Sequence, residues 1–455
     1  MSTSLITERA MYGPFQPGQV GLGRTSLPVG QLRTGFLRFV WLAMVLSVVA
    51  FLEPSPGDVG IALLAWVGFI FGKLSWENIP VLPVALLGLF VTANLVSLCF
   101  AIDISYAGSF VLITVFMLTF WFFTLGVVTK FEERGLRIIM SGYTIGGVLS
   151  ACFGLLAYFG VLSRMSSSLP FIRNLQLDET VLFFGQRMRG FFKDPNVFGP
   201  YMVVIAAYAL CQLQSLRNSV APKIAWTAAA LIASLSVLLS FSRAAWVNYV
   251  ITLTIVAALN TLTSHRQNRS RRSVITLLLV GVFVATAVGY ALTNQRVNDV
   301  AVDRSEKQSY DEDRFIKQVE ALDLGLTNPL GIGPGQSQLV LGYSPHSLPL
   351  GLFAENGVVG VLSVMGFVLV TLIRSFLLSL RAANQFQRSM FILVTAAIAG
   401  TLLNSLVIDP LHWRHFWFLL ALGWMPLWLK SGGSPEGRRR QRSRQLLCNK
   451  TGVWQ

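Results

Sequence analysis

The stretch that decides the fold is residues 105–128, SYAGSFVLITVFMLTFWFFTLGVV, which contains no charged side chain. About 20 consecutive apolar residues are enough for a helix to cross the hydrocarbon layer of a bilayer, so these residues predict a transmembrane helix. The whole chain of 455 residues has the same character, with 53% hydrophobic and only 13% charged residues. Because soluble proteins carry about 25% charged residues, the composition excludes an ordinary soluble enzyme, a disordered protein and a nucleic-acid-binding domain.

The chain contains twelve apolar runs of this kind. The predicted spans are residues 36–52, 57–74, 79–101, 105–128, 138–162, 197–213, 223–241, 244–262, 274–292, 356–377, 389–408 and 415–430. The sequence therefore predicts an all-α, polytopic integral membrane protein with about 12 transmembrane helices over residues 36–430, between an N-terminal tail, 1–35, and a basic C-terminal tail, 431–455. Two pairs, Gly68 with Gly72 and Gly142 with Gly146, have the spacing of small residues that let two such helices pack closely.

The distribution of charge between the loops predicts the orientation. With the N-terminus in the cytoplasm, 24 of the 36 lysines and arginines but only 5 of the 21 acids fall on the cytoplasmic side. That side then carries a net charge of +19 and the outer side −4, which agrees with the positive-inside rule and accounts for the overall charge of +15 without a nucleic-acid partner. Both termini are predicted to be cytoplasmic.

Two outer segments, 163–196 and 293–356, hold most of the unusual polar content. The first ends in QRMRGFFKDPN, which brings the cations Arg187, Arg189 and Lys193 next to the following span. Arginine forks match phosphate oxygens, so these side chains are candidates for binding a phosphate group. The alternative is that they only extend toward lipid headgroups.

The second outer segment contains residues 309–322, SYDEDRFIKQVEAL. Apolar residues recur there at helical spacing, at Phe315, Val319, Leu322 and Leu326, which predicts a short amphipathic helix lying on the outer surface. Arg314 falls in its first turn, where the helix dipole opposes a cation. Helix stability alone does not explain that residue, so we treat it as a candidate functional side chain.

A glycine-rich stretch, NPLGIGPG at 328–335, leads into the third group of candidates. Such a loop can hold phosphate with its N–H groups, or it can be a plain turn. His346 follows, near Glu355, at the outer boundary of the next span. A neutral histidine can accept a proton near pH 7, although a lone histidine is often only a hydrogen-bonded structural residue.

The order of these motifs resembles the O-antigen ligase family, which also takes in O-antigen and exopolysaccharide polymerases. The matching elements, from about residue 180 to 375, are Arg187-x-x-Gly190-x-x-x-Asp194-Pro195-Asn196, then Ser242-Arg243, Arg314, Asn328-Pro329-Leu330-Gly331-x-Gly333, His346 and Glu355-x-Gly357-x-x-Gly360. The resemblance implies a membrane glycosyltransferase with a helical fold of the broad GT-C kind. It implies a location in the bacterial inner membrane, a glycan on undecaprenyl diphosphate as donor, transfer on the periplasmic face, and neither a metal nor another cofactor.

The resemblance also implies roles for single residues. The two functional arginines of the family fall on Arg187 and Arg314, its histidine falls on His346, and Arg243 matches a further arginine of less clear role. The family often has asparagine after the histidine, where this chain has Ser347. A polar residue is kept there, but we expect its hydrogen bond to the histidine or the sugar to differ from that of asparagine. Arg189 could share or replace the role of Arg187.

These residues suggest a mechanism of glycan transfer. We expect Arg187 and Arg314 to bind the diphosphate, with Arg243 in support, because fixed cations stabilise the charge that grows on a leaving group. His346 is expected to act as general base toward the acceptor hydroxyl, and Glu355 either to orient His346 or to cap the following helix.

The acceptor distinguishes the alternatives that the sequence leaves open. A ligase would use a lipid A core sugar, and a polymerase would use a second lipid-linked repeat unit. Membrane lipids and other polysaccharide-assembly proteins are the expected partners. A twelve-helix transporter is the alternative of a different class, but transporters usually place ionisable residues in the middle of the membrane, and the predicted spans carry almost none there.

Overall fold

The computed structural model describes residues 29–77, 79–161, 183–184, 187–215, 220–263 and 309–428, with three single helical positions at 281, 285 and 289. Its helices are α1 Val29–Leu46, α2 Pro56–Ile70, α3 Val81–Leu98, α4 Ile104–Tyr158, α5 Pro195–Ser215, α6 Val220–Leu239, α7 Arg243–Thr263, α8 Ser309–Thr327, α9 Gln336–Leu341, α10 Leu348–Arg381, α11 Gln385–Asn404 and α12 Arg414–Gly423. Two short strands, β1 Phe183–Phe184 and β2 Arg187–Met188, pair antiparallel. The predicted all-α class is confirmed.

The helices have the length and composition of a multi-pass membrane protein. Seven of the described helices are long and apolar enough to cross a membrane, namely α3, α4, α5, α6, α7, α10 and α11. Two shorter apolar stretches, residues 35–46 and 56–70, fall in α1 and α2. The predicted span 274–292 lies outside the described residues except for its three single positions, so the count of twelve stays a prediction.

Helix α4 corrects one predicted boundary. The loop expected between the spans 105–128 and 138–162 is helical except at Glu132, whose φ of 51° and ψ of −135° break the helix. The chain turns back there, since a Cβ atom at Gly135 would lie 2.9 Å from the carbonyl oxygen of Val127. The charged residues that suggested a loop are good helix formers, and Glu133 and Arg137 pair at 2.6 Å one turn apart.

Other predicted boundaries shift as well. The amphipathic helix predicted from residue 309 is confirmed and continues to Thr327. Helix α10 begins at Leu348, eight residues before the predicted span. Residues 348–355, which were predicted to belong to the preceding loop, are therefore helical. The last predicted span, 415–430, contains a helix of only ten residues, α12, and residues 424–428 are not helical.

Irregular segments meet at one end of the bundle, which we call the loop face: residues 47–55, 99–103, 187–194, 240–242, 328–347 and 405–413. Backbone N–H groups join them, from Ala50 to the Phe191 carbonyl at 2.8 Å and from Leu348 to the Ser405 carbonyl at 2.8 Å. The Asp103 N–H donates to the side chain of Gln336 at 3.0 Å. All of these segments fall on the side that the sequence predicts to be outer.

Small residues let the helices of the core approach closely. A Cβ atom at Gly142 would lie 2.8 Å from the Trp41 carbonyl oxygen, and one at Gly146 would lie 2.6 Å from that of Val45. The predicted close packing at these two glycines is therefore confirmed, between α4 and α1. Aromatic rings fill the neighbouring space, where Tyr143 stacks on Tyr201 with ring centroids 4.2 Å apart. The same prediction of close packing is wrong at Gly72, where a Cβ atom would have no neighbour within 4 Å, whereas one at Gly68 would lie 2.9 Å from the Leu74 side chain.

A buried ion pair joins α2, near the beginning of the described chain, to α12, near its end. Arg414, the first residue of α12, donates through Nε to Oδ1 of Asp58 at 2.5 Å and through Nη2 to the other carboxylate oxygen. Asp58 also forms a capping box with Ser55 at the start of α2. Losing one partner of a buried pair leaves an uncompensated charge, so this contact fixes α12 against α2.

The glycine-rich stretch is held against a kink in α10. Gly357 has a φ of 65° and a ψ of −166°, a conformation that is almost restricted to glycine. At the kink the Val358 N–H donates to the Pro329 carbonyl at 3.0 Å, and the Gly333 N–H donates to that of Glu355 at 3.0 Å. The kink thus frees helical carbonyl and N–H groups, and the loop satisfies them.

Replacing Gly357 with alanine tests this arrangement. A Cβ atom there would lie 2.2 Å from the Pro329 carbonyl oxygen, and the backbone strain alone costs about 1–3 kcal/mol. We expect Gly357→Ala to lower the thermal unfolding temperature of the purified protein in detergent. Gly366→Ala is the matched control, because the nearest atom to its Cβ is 3.8 Å away. Equal unfolding temperatures for the two variants would contradict the kink.

Candidate functional site

Arg187 is held in a network at the junction of β2, α5 and α6. Its Nε donates to the carbonyl oxygen of Ser240 at 3.0 Å, and its Nη2 donates to Oδ1 of Asn196 at 2.7 Å. The same Asn196 oxygen accepts from the hydroxyl of Ser242 at 2.8 Å. Two fixed hydrogen bonds set the plane of the guanidinium group, which is therefore oriented before any ligand binds.

The other two cations of that segment point to different neighbours. Arg189 donates from Nη1 to the carbonyl oxygen of Lys193 at 2.8 Å and so closes the turn that contains both residues. Lys193 makes an ion pair with Glu53 of the loop between α1 and α2. The described contacts therefore give the three cations different neighbours, and those of Arg187 connect it to the network around Asn196.

Asp194-Pro195-Asn196 forms the turn that starts α5. The Asn196 N–H donates to Oδ1 of Asp194 at 2.7 Å, and the Phe198 N–H donates to its carbonyl oxygen at 3.1 Å. The predicted turn and helix start are confirmed. Arg243 follows Ser242 as the first, exposed residue of α7, so it stands one position from this network.

His346 lies in the loop before α10, in a conformation that side chains seldom adopt. Its φ is 46°, a left-handed value that costs free energy for a residue other than glycine. Its ring meets the ring of Tyr343 edge-on at a centroid distance of 4.9 Å. Such strain persists only where the surroundings fix the residue, and it is concentrated at functional sites.

Charged residues from two other segments act on His346. Burial lowers the pKa of its imidazole, the positive charge of Arg314 lowers it further, and the negative charge of Asp194 opposes both effects. Arg314 comes from α8 and Asp194 from the turn before α5, so three distant parts of the chain meet here. The result is a histidine that stays neutral at pH 7 and can accept a proton.

Arg314 is positioned by the packing of α8 along the loop face. The Gln318 side chain donates to the Leu406 carbonyl oxygen at 3.2 Å, and Ala321 is fully buried. The apolar stripe of the helix faces outward instead, with Phe315 53%, Val319 68% and Leu326 67% exposed. That orientation suits a helix that lies at a lipid interface.

Glu355 does not take either of the two roles expected from the sequence. Its Oε2 accepts from the Gly335 N–H at 2.8 Å, and its Oε1 accepts from the Ser337 hydroxyl at 2.5 Å. The carboxylate therefore caps the preceding helix α9 and holds the glycine-rich loop. Among the described residues, the side-chain hydrogen bonds of Glu355 come from Gly335 and Ser337, and none comes from His346 or from the helix that follows.

Ser347 is the N-cap residue of α10, but its side chain makes no capping hydrogen bond. It is buried, at 2% exposure. The Leu348 N–H that follows is satisfied by the Ser405 carbonyl oxygen instead. The polar contact expected between Ser347 and His346 or a sugar is thus not tested by the described geometry.

Asp409 is a residue near the site that the sequence analysis missed. It follows α11 and accepts from the Leu411 N–H at 2.8 Å, and burial raises the pKa of its carboxyl to about 6. A Cβ atom at Gly351 would lie 3.8 Å from both Asp409 Oδ2 and Pro345 Cγ. The only signal in the sequence was an acid directly before Pro410 at the predicted outer end of a span.

No metal centre is apparent in the part of the chain that the structure describes. Its residues contain no group of three or more His, Cys, Asp or Glu side chains that could hold a metal ion.

Comparison with known proteins identifies part of this arrangement. Residues 228–365 match the family model described as O-antigen ligase. The match contains Arg243, Arg314, His346 and Glu355, whereas Arg187, Arg189 and Lys193 precede it. No curated protein matches the chain.

The matched region runs from the middle of α6 through α7, α8 and α9 into α10, and it therefore includes two of the three elements that meet at His346. A family of O-antigen ligases supports a ligase-like role in glycan transfer and in polysaccharide biosynthesis. Taken with the apolar helices, the match supports a multi-pass membrane protein that carries a region similar to the O-antigen ligase family at residues 228–365.

Proposed function

We propose that this protein transfers a glycan from an undecaprenyl-diphosphate carrier to a sugar hydroxyl of an acceptor, at the loop face and on the outer side of the bacterial inner membrane. The main observation that supports the proposal is that Arg314 lies close enough to His346 on that face to act on it electrostatically, and that His346 is neutral. A cation suits the diphosphate of such a donor, and a neutral imidazole suits the hydroxyl of an acceptor.

The proposed step exchanges one bond for another at the anomeric carbon. The acceptor oxygen forms a bond to that carbon while the bond from the carbon to the diphosphate oxygen breaks, and the diphosphate leaves with the electron pair. Arg314 and Arg187 stabilise the charge that grows on the diphosphate, with Arg243 in support. Fixed cations are effective in this role because they need not reorganise during the reaction.

His346 accepts the proton that the acceptor hydroxyl loses. A positioned general base contributes roughly 10²–10⁴-fold to a rate. The strained backbone of His346 and its contact with Tyr343 support a fixed ring orientation. Asp409 lies near Gly351 and Pro345, and Pro345 directly precedes His346, so Asp409 is a further acid close to this loop.

The acceptor separates the ligase from the polymerase. The family name favours the ligase, which would use a lipid A core sugar, while a polymerase with the same donor chemistry would use a second lipid-linked repeat unit. The family match also favours glycan transfer over transport. We propose no metal or other cofactor for the reaction, since the arginines and the histidine supply both the electrostatic and the proton-transfer roles.

Reconstitution in proteoliposomes tests the proposal. The folded protein is supplied with an undecaprenyl-diphosphate-linked oligosaccharide and with either lipid A core or a second lipid-linked repeat as acceptor. We expect a glycosylated product with one of the two acceptors. Absence of product from both, with donors shown to be active toward another transferase, would refute the enzyme function.

His346→Asn tests the general base. Asparagine tolerates a positive φ but cannot take the proton, so we expect the rate to fall by roughly 10²–10⁴-fold while the unfolding temperature is retained. Tyr343→Phe is the matched control, since it keeps the ring that contacts His346, and it should remain active. Full activity of His346→Asn would refute the base assignment alone.

The pH dependence of the rate tests the electrostatic environment of His346. Because burial and Arg314 lower its pKa, the acid limb of kcat/KM should lie below the ordinary histidine value of about 6.5. Asp194→Asn keeps an oxygen for the Asn196 N–H but removes the negative charge, so the acid limb should move to still lower pH. Asp323→Asn, on the exposed side of α8, should leave it in place. A shift to higher pH in Asp194→Asn would contradict the assignment.

A further inference from the structure

A cavity of about 210 Å³ opens at the loop face between α1, α4, α5 and α12. Six aromatic side chains line it: Phe120, Tyr143, Phe192, Tyr201, Trp413 and Phe418. None of these residues was a candidate in the sequence. The volume far exceeds the 10–15 Å³ that one buried water needs, so a single structural water does not account for it.

One buried polar atom of the cavity has no partner among the described residues. Nε2 of His415 makes no hydrogen bond, and His415 is only 2% exposed. Its ring is fixed between those of Trp413, at a centroid distance of 5.2 Å, and Tyr201, at 5.8 Å. An unsatisfied buried polar group costs about 1–3 kcal/mol, so the cavity favours an occupant that can hydrogen-bond to this nitrogen.

The charges around the cavity are already balanced. Lys193 pairs with Glu53 at the mouth, where both side chains are about half exposed. Arg414 pairs with Asp58, whose side chain is only 7% exposed. An anion such as a diphosphate would have to compete with a carboxylate for either cation. A neutral ligand with hydroxyl groups would meet no such competition, and hydroxyl groups can both donate and accept.

The cavity lies beside the residues that act on His346. Lys193 lines its mouth, and the next residue, Asp194, is the carboxylate whose charge acts on His346. His412 also lines it and contacts Phe110 edge-on at 5.5 Å. Phe110 in turn packs against Gly335, the end of the glycine-rich loop. A group in the cavity is therefore adjacent to the proposed reaction centre without occupying it.

From these observations we infer that the aromatic cavity is a carbohydrate subsite, which binds a neutral sugar of the acceptor next to the hydroxyl that reacts. Flat aromatic walls suit the apolar faces of a sugar ring, and a few polar groups fix its orientation, as in other small-molecule sites. The inference rests on the proposed function and extends it by naming the acceptor site. The donor diphosphate is assigned to Arg187 and Arg314, which lie outside the cavity lining.

Binding of soluble oligosaccharides to the full-length protein in detergent tests the subsite without requiring catalysis. The probes are the core oligosaccharide released from lipopolysaccharide and the released repeat-unit oligosaccharide, followed by quenching of tryptophan fluorescence. We expect one of them to bind, to bind equally to the inactive His346→Asn variant, and not to be displaced by inorganic pyrophosphate.

Two variants locate the binding. Ala50 lines the cavity, so Ala50→Leu should fill it and weaken binding by roughly tenfold or more. Ala225→Leu, at an exposed position of α6, is the control and should bind normally. His415→Phe keeps an aromatic ring at this position but removes the imidazole nitrogens, so it should weaken binding by about 2- to 10-fold. This variant provides the test if Ala50→Leu does not fold.

The outcomes separate this inference from the proposed function. Binding that is lost in the two cavity variants supports the subsite even if no transfer product is found. Unchanged binding in both, displacement by pyrophosphate, or an active enzyme that binds neither oligosaccharide would overturn the subsite while the proposed glycan transfer could still hold.

Discussion

Inside the hydrocarbon layer every backbone N–H and C=O group must find a partner within the protein, and the rest of this structure depends on that constraint. Long helices meet it directly, and the irregular segments gather at the helix ends. Where α10 departs from helical geometry at Gly357, the residues Pro329 to Gly333 supply the missing partners. The same requirement that shapes the bundle therefore fixes the glycine-rich loop that precedes His346.

The loop face gains its order from side chains that each bond to more than one segment. Asn196 joins Arg187 to Ser242, and Glu355 joins α10 to the N-terminus of α9. Helix α8 then brings Arg314 to the histidine through its contact with residue Leu406. His346 stands on a loop, Arg187 on the short strand β2 and Arg314 on α8. Hydrogen bonds hold these segments against the long helices, which favours a preorganised site.

Hydropathy and periodicity predicted a large part of this arrangement. The all-α class, the amphipathic helix from residue 309 and the close packing at Gly142 follow from local patterns, because span length, apolar spacing and small residues act over one or two turns. Arg314 and His346 were also predicted as site residues, and the structure brings them together. Their catalytic roles remain predictions.

Features that depend on contacts between residues far apart in the sequence could not be predicted from the sequence. The partners of Glu355, the pair between Arg414 and Asp58, and the placement of Asp409 each join residues that no local pattern relates. The cavity around His415 is formed by four helices from different parts of the chain. The helical conformation of residues 129–137 on either side of the break at Glu132 was missed for a different reason, because charged helix formers were interpreted as a loop.

The central claim is that the loop face binds a lipid-linked diphosphate beside His346. A structure of the protein with bound undecaprenyl diphosphate tests it most directly. The account predicts diphosphate oxygens within hydrogen-bond distance, about 3 Å, of Arg314 and Arg187, next to the imidazole of His346 and outside the aromatic cavity. A diphosphate bound at the opposite end of the helices, or one held within the cavity by Arg414 and Lys193, would contradict it.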